Sequence, residues 1–87
     1  MFKPDPKKQV VLKFVELFGS DTDPTVVGTR LSPELCRAHG FPRDTFYAQL
    51  MIGDEVLATA HSHDWRRAYK LLKLEVEKLY SECGYDQ

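Results

Sequence analysis

Arg66, Arg67 and Lys70 stand within one short run, Asp64-Trp65-Arg66-Arg67-Ala68-Tyr69-Lys70, and Lys73 follows one helical turn later. If that run opens a helix, its cations sit where the helix's own N-terminal partial charge adds to theirs, an arrangement suited to phosphates. A polyanion is the natural partner. A second set, Cys36-x-x-His39, His61-x-His63 and Cys83, has enough soft donors for a tetrahedral zinc, and the Cys-x-x-His spacing falls within structural-site habits. Convergence would require Cys83, about five helical turns beyond Trp65, to fold back to the end of a strand that carries both histidines. The ordinary reading is one buried thiol, one exposed thiol and surface imidazoles, with no metal or other cofactor. The carboxylates Asp21, Asp23, Asp44, Asp54 and Glu55 all belong to turn-like stretches, where such side chains favour local backbone hydrogen bonds. No nucleophile elbow, phosphate loop or metalloprotease motif occurs. The chain is expected not to be an enzyme.

The elements that must position these cations are readable from periodicity. Phe46, Ala48, Leu50 and Ile52 alternate with Tyr47, Gln49 and Met51, which predicts a strand over Phe46 to Ile52 with one apolar face. Gly53-Asp54 has the chemistry of a two-residue turn, and a second strand is expected over Val56 to His61. A long helix then begins at Asp64-Trp65. Trp65, Tyr69, Leu72, Val76, Leu79 and Cys83 form its apolar stripe, joined by Ala68, and Arg66, Lys70, Lys73 and Glu77 form the adjacent one. Upstream, Asp5-Pro6 is a helix start, Val10, Val11, Phe14, Leu17 and Phe18 recur at helical spacing, and Gly19 stops them, predicting a helix over Lys7 to Phe18. Thr25-Val26-Val27 reads as a short edge strand broken by Gly28. Ser32-Pro33-Glu34 resembles a capped helix start closed by Gly40 and Pro42, so one short helical turn over Leu35 to His39 is expected inside the connection. The fold class is α+β, in the order α-β-β-β-α, with two helices on one face of a three-stranded antiparallel sheet.

At 87 residues the chain is one domain. Its expected boundaries are a disordered leader over 1–5, the domain over 6–82 and a tail over 83–87. Twelve Lys and Arg against thirteen Asp and Glu leave the formal charge at −1, so any nucleic-acid binding must come from a local patch. Two cysteines and no secretory stretch point to a reducing intracellular setting, nuclear or cytoplasmic. No apolar run exceeds the three residues of Val10 to Leu12, far short of a membrane span.

With these elements in order, the chain resembles a double-stranded RNA-binding domain over about Pro6 to Tyr80, most strongly from Phe46 onward. Members of that family open their last helix with a motif of the form Lys-Lys-x-Ala-Lys that grips phosphates across a major groove. Arg66-Arg67-Ala68-Tyr69-Lys70 matches its basic positions, with Tyr69 where the family has Ala. The resemblance implies a second contact through a His in the loop between the first two strands, for which His39 in Ala38-His39-Gly40-Phe41-Pro42 is the candidate, in a longer loop than usual. It implies a third on the exposed face of the first helix, where Gln9 and Lys13 are available. The implied activity is binding of double-stranded RNA by shape and phosphate contacts, because A-form RNA offers side chains only phosphates and 2′-hydroxyls over about 16 base pairs. A non-catalytic module of a ribonuclease III or Dicer-type enzyme, or of another RNA-processing protein, would bind in this way.

The rival is a divergent domain of the same fold that binds a protein or a second copy of itself with little RNA affinity. Tyr47 and Met51 on the outer hairpin face would carry that contact. A type I KH domain is more distant, since the Gly-x-x-Gly loop that clamps single-stranded backbone is missing.

Overall fold

Each element starts and stops where local chemistry satisfies the backbone. The computed structural model describes residues 5–82, so the expected leader and tail lie outside the described residues apart from Asp5. Helix α1 spans Pro6–Phe18: the Asp5 carboxylate accepts from the Lys7 N–H at 2.9 Å, Pro6 occupies the first turn, and Gly19 ends the helix at φ 110°. A single 3₁₀ turn, Ser20–Thr22, leads to strand β1, Thr25–Arg30. Helix α2 spans Pro33–His39, with the Ser32 hydroxyl accepting from the Leu35 N–H at 3.2 Å. Its end is a Schellman closure: Gly40 is left-handed at φ 74°, the Phe41 N–H donates to the Cys36 carbonyl at 2.8 Å, and the Gly40 N–H to that of Arg37 at 3.3 Å. Two turns of helix therefore stand where one was expected.

Strands β2, Phe46–Ile52, and β3, Glu55–Ser62, form the hairpin, with Gly53 at φ 59° in the first loop position, where a side chain would be strained. The sheet is antiparallel in the order β1-β2-β3. A bulge sits opposite Leu50 and Met51, whose partners are Ala58 and Val56. Leu57 is the extra residue, and it packs with Ala58 against the core instead of turning outward. Helix α3 spans Trp65–Glu82. Helices α1 and α3 both pack on the sheet and on each other, run in the same direction, and meet near their C-terminal ends where Phe18 and Tyr80 lie edge to face at 5.4 Å. Val10, Phe14, Val26, Leu50, Leu72 and Val76 are its buried centre.

Two sequence expectations are corrected. Gly28 does not break β1, which runs on through Arg30, because glycine is needed there. A Cβ at position 28 would fall on the Tyr69 hydroxyl and 2.7 Å from the Phe46 ring. Gly28 pairs with Ala48 and Ala48 with Ala60, so the inner face carries a cross-strand row of small residues. Ala68 and Tyr69 of α3 are buried against this face, with Tyr69 edge to face on Phe46 at 5.5 Å. The second correction concerns Trp65, expected in the apolar stripe that packs on the sheet. At the helix start it overhangs the core and remains 39% exposed, with Arg66 over its ring. Cys83, expected at the other end of that stripe, lies outside the described residues. No helix among the described residues is long and apolar enough to cross a membrane.

Candidate nucleic-acid interface

The first turn of α3 is tied down by its own neighbours. The Asp64 carboxylate accepts from the Arg66 N–H at 3.0 Å, the Asp64 carbonyl from the Ala68 N–H at 2.9 Å, and the Ser62 hydroxyl from the Asp64 N–H at 3.4 Å. The remaining amides at the helix start add their partial positive charge to Arg66, Arg67 and Lys70. These three cations, with Asp64, Leu71 and Leu74, line an open concavity of about 460 Å³ on the outer side of the helix. Among the described residues none of Arg66, Arg67, Lys70 and Lys73 is held in an ion pair. Glu75 and Glu77, which could have balanced this stripe as a plain solvated face, do not pair with it.

Lys73 lies on the flank of α3 that meets α1, and lines a smaller concavity of about 230 Å³ with Gln9, Leu12, Lys13 and Glu16. The Gln9 and Lys13 face of α1 thus meets α3 at Lys73, one helical turn from Lys70. Lys13 itself is paired with Glu16 at 3.2 Å, one turn along the same helix. Leu12 at 59% exposure and Leu74 at 52% stand among these charges. Leu12, Leu71 and Leu74 were not among the sequence candidates, since apolar residues in a helix read first as core.

His39 occupies a different surface. The segment after α2 turns back over the outer face of the sheet, and there the Phe41 ring stacks on His61 at 4.3 Å, with Tyr47 and His39 at 6.1 and 5.7 Å. The strand pairing explains the meeting: Thr29, Tyr47 and His61 form one cross-strand row on that face. Below them Leu31, His39, Phe41, Tyr47 and Gln49 line a concavity of about 280 Å³. Sequence reasoning missed the stack; its one local signal was an aromatic residue between Gly40 and Pro42 in a polar connection.

Arg30 was missed as well. At the end of β1 it lies 5.8 Å above the Phe46 ring, and its guanidinium donates to the carbonyls of Asp44 and, at 3.3 Å, His63. It ties the chain entering β2 to the corner between β3 and α3, which positions the α3 cations relative to the His39 segment. Thr45 supports the same corner, buried with its hydroxyl donating to the Pro42 carbonyl at 2.6 Å.

The possible zinc donors do not converge among the described residues, where no three His, Cys, Asp or Glu side chains come together. Cys36 is buried, its thiol 3.9 Å from the Leu31 carbonyl, His61 lies against Phe41, and Cys83 is outside the described residues. Burial, and secondarily the Asp5 carboxylate, push the Tyr69 phenol above the ordinary tyrosine range. No known protein family, curated protein or solved structure matches the chain.

Proposed function

We propose that the domain is a divergent double-stranded RNA-binding domain that holds duplex RNA by shape and phosphate contacts, as a non-catalytic module of an RNA-processing protein. The observation that carries this reading is the group of cations Arg66, Arg67, Lys70 and Lys73, free of ion pairs among the described residues, on the first half of α3 in a chain near neutral overall. A surface of this kind, with Lys73 lying beside Gln9 and Lys13 of α1, supports recognition of a backbone rather than of base edges. The helix-sheet-helix order and the packing of both helices on one sheet face agree with such a domain. His39 lies beside Phe41 at the outer-face concavity, as a separate contact point.

The protein-binding reading draws on Tyr47 and Met51. Phe41 lies beside Tyr47, which leaves less of that face for a partner; Met51 keeps exposed Val27 and Val56 around it.

Titration with duplex RNA, single-stranded RNA and duplex DNA at two salt concentrations tests the proposal. Wild-type protein binds duplex RNA at low salt. Arg66→Glu with Lys70→Glu lowers that affinity about a hundredfold, two charge-assisted contacts of roughly 1.5 kcal/mol each, irrespective of duplex sequence, and flattens its salt dependence. Wild-type protein without duplex RNA affinity, or a double variant that binds equally well, overturns the reading.

A further inference from the structure

The concavity on the outer sheet face has features that phosphate binding does not use. The Phe41, His39, Tyr47 and His61 rings lie at one tilt: the other three are within 22°, 29° and 25° of the Phe41 plane. One side of Phe41 is taken by His61 at 4.3 Å, while His39 and Tyr47 line the concavity with Leu31 and Gln49. Ring faces tilted by no more than 29° from one of their number are surfaces a planar heteroaromatic group stacks on, and every nucleobase has such a face. The Gln49 amide places a donor and an acceptor side by side, the pairing that a base edge presents. At about 280 Å³ the space lies just under the usual small-molecule range of roughly 300–1,000 Å³, which suits one ring system and not a larger ligand.

Its position also counts. Arg30 joins the segment leading into β2 to the turn before α3, so the concavity lies at the end of the sheet from which the α3 cations project. The concavity opens on the outer face at that end and α3 packs on the inner face, so a strand leaving a duplex held by those cations reaches it around that end of the sheet.

We infer that this concavity receives one unpaired nucleobase of an RNA whose duplex is held along α3, the base stacking with His39, Phe41 and Tyr47 and meeting Gln49 at its edge. This rests on the duplex-RNA reading and narrows it: the preferred ligand is a duplex interrupted by, or ending in, an unpaired base. The ring site adds selectivity through stacking, which displaces no counterions and so does not add to the salt dependence.

Three RNAs of the same duplex sequence test it with the complete chain: blunt-ended, with a single bulged 2-aminopurine, and with a 3′ overhang containing 2-aminopurine. The expected result is about tenfold tighter binding of the bulged or overhanging RNA than of the blunt one, with quenching of 2-aminopurine fluorescence as it stacks. Gln49→Leu and, separately, Tyr47→Leu abolish that preference and the quenching while blunt-duplex affinity holds; unchanged circular dichroism shows that each variant is folded. Arg66→Glu with Lys70→Glu weakens all three RNAs by the same factor. Equal binding of the three RNAs by wild-type protein, or a preference that survives both leucine variants, overturns the inference and leaves duplex binding standing. Absence of binding to any of them overturns both.

Discussion

The two faces of the sheet come from the same alternating strands and are closed in opposite ways. Inward, the row Gly28, Ala48 and Ala60 is small, so α3 approaches closely and Tyr69 reaches Gly28 itself. Outward, the row Thr29, Tyr47 and His61 is larger and more polar, and among the described residues Phe41 and its neighbours cover it at one end. The inner face is made rigid by fit. The outer face, partly covered by a loop, is left with ring faces, an amide and a concavity. Small residues inside and large ones outside are one pattern with two results: a helix seated firmly on the sheet, and a second surface left partly open.

Breaking the inner fit has the largest expected effect. Gly28→Ala places a methyl group against Tyr69 and Phe46, both held in mutual edge-to-face contact, and costs about 2 kcal/mol by overpacking. Denaturant unfolding measures it. Adding Tyr69→Phe removes the nearest atom and recovers part of the loss, so the two substitutions are not additive. Additivity would mean that the hydroxyl and the glycine do not share this space.

Phe41→Ala, on the outer face, costs less, about 1 kcal/mol, because a half-buried ring stacked on His61 is lost without opening the core. It frees the segment after α2 and erases the concavity, so protection of the amide hydrogens around Gly40 falls while that of β2 persists. Equal loss of protection in both would show that the outer cover and the core unfold together.

Arg66→Glu with Lys70→Glu lowers the unfolding free energy by no more than about 0.5 kcal/mol, since both side chains are exposed and, among the described residues, in no ion pair, Arg66 resting only over the ring of the partly exposed Trp65. A larger loss would mean that these cations belong to the scaffold. The smallest effect is confined to alkaline solution. The buried Tyr69 phenol keeps its proton to higher pH than in the unfolded chain, which titrates at about 10. Stability is therefore complete below that value and declines as pH rises through it toward the folded pKa. Wild-type protein loses stability relative to Tyr69→Phe above pH 10 and not below; parallel curves throughout would place the phenol in water.

Much of the fold was legible because its signals span only a few residues. The caps Asp5 with Pro6 and Ser32 with Pro33, the stop at Gly40, the turn at Gly53-Asp54 and the alternation from Phe46 to Ile52 all act within one turn of helix or between adjacent strand positions. The α3 cations were legible for the same reason, since consecutive helical turns place Arg66, Lys70 and Lys73 on one stripe. Tertiary structure decided the rest. It set Gly28 under Tyr69, left Trp65 overhanging the core, brought Lys73 beside Gln9 and Lys13, and stacked Phe41 on His61 instead of leaving His39 at a loop tip. Each of these depends on how closely elements distant along the chain approach, a quantity set by the volumes of opposing side chains and the register between strands. Periodicity reports which face a residue takes, and only packing reports what that face meets.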